Sequence, residues 1–178
     1  MKNQNTFSLV RTVLVLLFAL TLAACAAKSN ETALKAGDLA PDFELKADDG
    51  RTIKLSDYRD KTVVLFFYPK DETPGCTKEA CAFRDVYAEF KAADIEVFGI
   101  SVDNVASHQA FKQKQNLNFT LLADETKEVC KKYGVLGALG FAQRVTFLIG
   151  KGGVIKKIFR DVQPEVHAKE VLEVAKTI

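Results

Sequence analysis

The sequence carries almost no net charge. Its 178 residues hold 25 basic and 23 acidic side chains, a formal charge of +2. So even a balance excludes a basic field for nucleic acid and an acidic tail. Histidine is scarce, with only His108 and His167. Both fall on polar helical stretches without ligand-spaced partners, so no metal site is indicated. There is no internal repeat and no low-complexity segment. Apolar runs are short as well. The uncharged stretch at 12–27 falls below the roughly 20 apolar residues a membrane-spanning helix needs. What remains is the composition of a folded domain, 48% hydrophobic and 27% charged. Its length suits one domain with a short appendage.

That appendage lies at the N-terminus. Lys2 and Arg11 precede an apolar core, Val13 to Leu20, and then the small residues that lead to Cys25. A basic start, a short apolar core and small residues describe a secretory signal peptide over 1–24. Leu22-Ala23-Ala24-Cys25 resembles the bacterial lipobox, which implies cleavage before Cys25 and a lipid on its sulfur. The alternative is an ordinary signal peptide with an incidental cysteine. Residues 25–36 then form a lipidated N-terminus and tether, and 37–178 the working domain. Each buried CH₂ of an acyl chain contributes about 0.8 kcal/mol, so several chains hold a soluble domain at a membrane. The expected location is the bacterial envelope, exported and periplasm-facing. Ala26, in place of an aspartate, favours the outer membrane by the same resemblance. Losing Lys2 and Arg11 leaves 23 basic and 23 acidic residues, a neutral domain.

Within the domain, apolar β-formers run continuously at Thr62–Tyr68, Ile95–Val102 and Val145–Ile149. Such runs mark strands buried on both faces. Pro41–Leu45 and Thr52–Leu55 flank the turn residues Asp48-Asp49-Gly50 and predict a hairpin. Leu121–Ala123 is a short strand, and Val154–Phe159 pairs back across Gly150–Gly153. Helical spacing of Ala80, Phe83, Val86, Tyr87 and Phe90 predicts a helix from Thr77. Further helices are expected at Val105–Asn116 with Ala106, Ala110 and Phe111 inward, at Glu125–Tyr133, and at Glu165–Thr177. Gly134, Gly137 and Gly140 read as a flexible loop and match no phosphate-binding pattern. Strands and helices alternating in this order define an α/β domain, a mixed sheet covered on both faces. The order is that of a thioredoxin-like fold with an N-terminal hairpin extension.

Chemistry concentrates where the first buried strand ends. Two prolines bracket the loop Pro69-Lys70-Asp71-Glu72-Thr73-Pro74-Gly75, and Cys76 falls where the helix begins. Free N–H groups and the helix dipole favour an anion there. Thiolate is the species that reacts with peroxides, and sulfenic acid is the first product. The bland alternative for Cys76 is a buried, inert thiol, which its neighbours Pro, Gly, Thr and Lys argue against. Cys81 follows five residues later. On an intact helix the two Cα atoms sit roughly 8–9 Å apart, and bridging fails beyond about 7 Å.

Pro69-x-x-x-Thr73-x-x-Cys76 resembles the peroxiredoxin active-site pattern. The longer string Cys76-Thr77-Lys78-Glu79-Ala80-Cys81, with Phe83-Arg84-Asp85, is similar to the Q-type or bacterioferritin comigratory protein branch. Further matches are Ala40-Pro41-Asp42-Phe43, Gly99-Ile100-Ser101-Val102-Asp103, Leu121-Leu122-Ala123-Asp124 and Arg144-Val145-Thr146-Phe147-Leu148-Ile149. The resemblance runs from Gly37 to the C-terminus, with one departure at Gly150, where many relatives carry an acidic residue.

It implies a thiol-dependent peroxidase for hydrogen peroxide and organic hydroperoxides. Cys76 would be the peroxidatic residue, Thr73 would hydrogen-bond the peroxide, Pro69 would shield the sulfur, and Arg144 would hold sulfur and peroxide together. Cys81 would resolve the sulfenic acid, which requires the helix start to unwind, with Pro74 and Gly75 as the hinge; the alternative is a core Cys81 and an external thiol that resolves Cys76. A thioredoxin-like dithiol would recycle the enzyme. No cofactor is implied, and the Q-type relatives suggest a monomer. Glu79 is expected to complement the helix dipole or orient Arg144. Arg84 is either a second cation near the site or a solvated residue, and Cys130 reads as a core thiol. The competing reading is an envelope thiol-disulfide oxidoreductase of the same fold, which typically carries C-x-x-C and not C-x₄-C.

Overall fold

The computed structural model describes residues 33–178. The expected leader and Cys25 lie outside them. Among the described residues the strands are β1 (Glu44–Ala47), β2 (Thr52–Lys54), β3 (Thr62–Phe67), β4 (Ile95–Ser101), β5 (Thr120–Ala123), β6 (Val145–Gly150) and β7 (Val154–Phe159). The helices are α1 (Pro74–Ala92), α2 (Val105–Gln115), α3 (Glu128–Lys132) and α4 (His167–Ala175). The strands form one sheet in the order β2-β1-β5-β4-β3-β6-β7. β4 runs parallel to both β3 and β5. β6 is antiparallel to β3 and to β7. The β1–β2 hairpin continues the sheet beyond β5. This is the expected thioredoxin-like fold with its hairpin extension.

The apolar runs became the centre of the sheet because both of their faces are covered. Val63, Leu65 and Phe67 alternate into one core with Tyr133 and Phe147. Val64, Phe66 and Tyr68 alternate into the other, with Phe83 and Phe90 of α1, Phe111 of α2 and Val171 of α4. Phe66 stacks on Phe83 with ring centroids 4.4 Å apart. That contact seats α1 on β3. Gly99 makes room for it: a Cβ there would lie 2.6 Å from Phe66 Cζ and 2.8 Å from Leu121 Cδ2. Register then sets the site. Phe67, the last residue of β3, pairs with Val145, the first of β6. Arg144 is thereby brought beside the loop that leads from β3 to α1, although the two are far apart in sequence.

Several expectations change. α2 buries Phe111 as expected, but Ala106 and Ala110 are exposed and His108 turns inward. Hydropathy counts histidine as polar, and here one of its ring nitrogens, Nδ1, is paired inside. The third helix is shorter than 125–133. Asp124 accepts from the N–H groups of Val129 (3.2 Å) and Cys130 (2.7 Å), and Lys127 is left-handed at φ 64°, so the helix starts only at Glu128. The stretch expected as a flexible loop is a hydrogen-bonded hairpin. Gly137 N–H donates to Phe141 O at 2.8 Å and Gln143 N–H to Val135 O at 2.7 Å. None of the helices among the described residues is long and apolar enough to cross a membrane.

Candidate active site

β3 delivers the chain into the site through a short loop. Tyr68 N–H still bonds the β4 residue Ile100 at 3.0 Å. Pro69 is half-buried and Lys70 exposed. Glu72 adopts a left-handed backbone at φ 60° and turns the chain toward α1. Thr73 is the extended N-cap of α1, but its side chain caps nothing. Thr73 Oγ1 donates instead to Lys70 O at 3.0 Å, closing the loop on itself. Pro74 takes the first helical position, where a missing N–H is no loss. Helix therefore begins three residues before the predicted Thr77. Cys76 sits in the first turn, at the positive end of the dipole, and only 2% exposed.

Arg144 completes the site from across the sheet. Its Nη2 lies 3.2 Å from Cys76 Sγ. Its Nη1 donates to Glu79 Oε2. Glu79 follows Cys76 by three residues, so both side chains share a face of α1. The guanidinium comes in over Gly75, where a Cβ would lie 3.3 Å from Nη2. Glu79 is fully buried and its Oε1 has no partner. Burial pushes its carboxyl up to about 7, against the pull of Arg144. For Arg144, burial opposes the charge, but Glu79 and Cys76 outweigh it and hold the guanidinium above its usual value. Of the two roles expected for Glu79, orienting Arg144 is the one built here. It sits beyond the first turn, which carries no acidic residue.

Cys81 is half-buried further along the same helix, its Sγ 3.9 Å from Gln115 Oε1. α1 is continuous through both thiols, so helix geometry keeps their Cα atoms roughly 8–9 Å apart. Both are free. Arg84 lies near Cys81, closer to the first of its two expected settings than to a solvated one. It donates to Gln115 O at 2.7 Å and pairs with Asp85, tying α1 to the end of α2 beside Cys81. Cys130 is fully buried, and burial together with Asp124 pushes its thiol far up. It is a core residue.

Both histidines are buried although their helical stretches are polar in sequence. His167 bonds Thr146 Oγ1 at 2.8 Å, and burial holds its pKa down. His108 belongs to a cluster that sequence reading missed. His108 Nδ1 lies 2.9 Å from Asp71 Oδ2. Ser107 Oγ donates to the same oxygen at 2.7 Å, and Tyr68 OH donates to Asp71 Oδ1 at 2.7 Å. Asp71 N–H donates to Asp103 Oδ2 at 2.9 Å, which also accepts from Ser101 Oγ at 2.7 Å. The available signal was the i, i+3 spacing of His108 and Phe111 on one helix face. Among the described residues no cluster of side chains could hold a metal ion.

A thioredoxin-like sheet that presents a buried thiol at a helix start, with a guanidinium on the sulfur, defines a thiol-based oxidoreductase. The AhpC/TSA family model matches residues 36–158. The chain is 48% identical over 145 residues to the chloroplastic peroxiredoxin Q of Triticum aestivum, covering 80% of this chain and 67% of that one. Among solved structures, peroxidoxin BcpB from Mycobacterium tuberculosis is 36% identical, with a TM-score of 0.76 over 82% of this chain and 98% of that one. The bacterioferritin comigratory protein of Xanthomonas campestris, studied for its alkyl peroxide reduction activity, is 32% identical. Its TM-score is 0.72, over 76% of this chain and 90% of that one. The chain belongs to the AhpC/TSA family, and within it to the Q-type or bacterioferritin comigratory protein-like peroxiredoxins. It is a thiol-dependent peroxidase.

Proposed function

We propose that Cys76 is the peroxidatic residue. The observation that carries this is the 3.2 Å approach of Arg144 Nη2 to Cys76 Sγ at the start of α1. The sulfur attacks one oxygen of a hydroperoxide. An S–O bond forms as the O–O bond breaks, and the leaving oxygen takes a proton to depart as water or an alcohol. Cys76 becomes a sulfenic acid. Arg144, already oriented by Glu79, faces the charge that grows on the leaving oxygen without having to reorganise. Thr73 hydrogen-bonds the peroxide and Pro69 keeps bulk water from the sulfur. Their place in the short loop between β3 and Cys76 supports both roles.

Cys81 then attacks the sulfenic sulfur. An S–S bond forms and water leaves. Because α1 separates the thiols, its first turns unwind for this step, with Pro74 and Gly75 as the hinge. A thioredoxin-like dithiol returns two electrons and is itself oxidised to a disulfide. Hydrogen peroxide and organic hydroperoxides are the substrates, and the Xanthomonas campestris relative supports the alkyl class. The protein works as a monomer. It is exported and held at the envelope through a lipid on Cys25, in the outer membrane.

Peroxide consumption with dithiothreitol is expected for the purified protein and is lost in Cys76→Ser. Insulin-disulfide reduction without peroxide turnover would instead indicate a thiol-disulfide oxidoreductase. Mass spectrometry of the mature protein should find Cys25 N-terminal and acylated. An unmodified Cys25 ends the lipoprotein reading.

A further inference from the structure

The buried cluster around Asp71 lies outside the reacting groups, yet it governs the loop that starts α1. Asp71 precedes the N-cap Thr73 by two residues and Cys76 by five. Its carboxylate and N–H are held from three directions: Tyr68 at the end of β3, Asp103 beyond β4, and Ser107 with His108 on α2. Connecting loops ordinarily run over the surface, and a buried carboxylate persists only where its donors are supplied. Here three donors to its carboxylate and one acceptor for its N–H draw a loop residue inward. The next residue, Glu72, then takes the left-handed turn that begins the helix.

We propose that Asp71 and His108 are positioning residues, which fix the loop so that Cys76 meets Arg144. The inference rests on Cys76 being the reacting sulfur. His108 Nδ1 faces Asp71 while Nε2 is buried without a partner, so the imidazole acts through a donor at Nδ1. None of the residues in the clamp belongs to α1. It therefore survives the unwinding of the first turns and offers a fixed point from which they rewind. Phe83, stacked on Phe66, holds the helix beyond the opened stretch. Cys76 returns to Arg144 because both ends of the moving segment stay in place.

The test measures sulfenic acid formation at Cys76 after rapid mixing with hydrogen peroxide, read by dimedone tagging and mass spectrometry. All proteins carry Cys81→Ser, which leaves the sulfenic acid unresolved, and in that background they are otherwise wild type, His108→Leu, His108→Asn, Asp71→Asn and Cys76→Ser. Misplacing a reacting group by 1 Å costs about 10²-fold, and His108→Leu is expected to slow tagging by about 10- to 100-fold. His108→Asn offers an amide donor near the Nδ1 position and restores most of the rate. A purely structural role for His108 gives no such rescue. Wild-type rates in folded His108→Leu overturn the inference, as do equal losses in His108→Leu and His108→Asn. If thermal melts show that His108→Leu does not fold, Asp71→Asn decides: slowed tagging supports the clamp, and an unchanged rate overturns it. If the protein with Cys81→Ser alone is untagged at Cys76, the peroxidatic assignment fails, and that result is distinct from every other.

Discussion

Gly75→Ala separates stability from activity in opposite directions. Gly75 lies in the first turn of α1, where alanine is freely accepted. Replacing a helical glycine by alanine stabilises by about 0.5–1 kcal/mol. For a domain of this size that raises Tm by about 1–4 °C. The new Cβ, however, would lie 3.3 Å from Arg144 Nη2. Ordinary contact begins near 3.4 Å, so the guanidinium must give by a few tenths of an ångström. Nη1 is tethered to Glu79, and the retreat falls on the Nη2–Sγ contact, now 3.2 Å. At about 10²-fold per ångström of misplacement, a retreat of about 0.3 Å slows Cys76 oxidation about fourfold. The stiffer hinge also slows disulfide formation by about two- to fivefold, the kinetic equivalent of about 0.5–1 kcal/mol. Thermal melts and stopped-flow oxidation of the reduced protein report all three. A raised Tm with unchanged peroxide kinetics would falsify the idea that Gly75 is there for Arg144. A lowered Tm would show that the contact cannot relax at all.

Two further outcomes follow from the same helix. Amide exchange across residues 76–85 should quicken in the Cys76–Cys81 disulfide form relative to the reduced one, and equal protection in both would sink resolution by Cys81. Glu79 makes stability depend on pH. Its carboxyl is raised from 4.5 to about 7 in the fold, so the folded state binds the proton more tightly. The stability this gives is fully present below about 4.5 and is lost as pH rises through about 7. The loss is at most about 3 kcal/mol. Glu79→Gln does not titrate, so urea midpoints of wild type should fall relative to Glu79→Gln between pH 5 and 8; parallel curves would contradict the assignment.

The central strands were legible because burial on both faces leaves a continuous apolar run, as at Thr62–Phe67 and Val145–Gly150. The helix bearing Cys76 was legible from Ala80, Phe83, Val86 and Phe90, all buried. Its true start was not, because Pro74 and Gly75 read as loop residues although the first turn tolerates both. Polar residues that go inside were much less legible. His108 and Asp71 are 37 residues apart in sequence, and neither has a reason to be buried until the other is in place. Arg144 and Glu79 pose the same problem over 65 residues. Their meeting depends on β6 lying against β3, a register that no local spacing encodes. The motif resemblance supplied Arg144; the physics of its own neighbourhood, Thr146 and Val145, did not.

The count of free thiols understates how differently they are held. Cys130 is locked in the core by burial, while Cys76 and Cys81 share one helix that keeps them apart. Cys76 and Glu79 occupy one face only while that helix is intact. Arg144 bridges the two. The contact that prepares the sulfur for peroxide is therefore also a staple across the turns that must open for Cys81. On the proposed route the chemistry itself removes the conflict. Oxidation puts an oxygen on the sulfur that Nη2 now approaches to 3.2 Å, so that contact has to be remade while Arg144 stays attached through Glu79. That carboxyl pays a desolvation penalty large enough to hold it near 7, which weakens the remaining attachment. Opening is opposed before peroxide has reacted and eased afterwards, so the helix stays closed for the step that needs Arg144 and loosens for the step that needs Cys81.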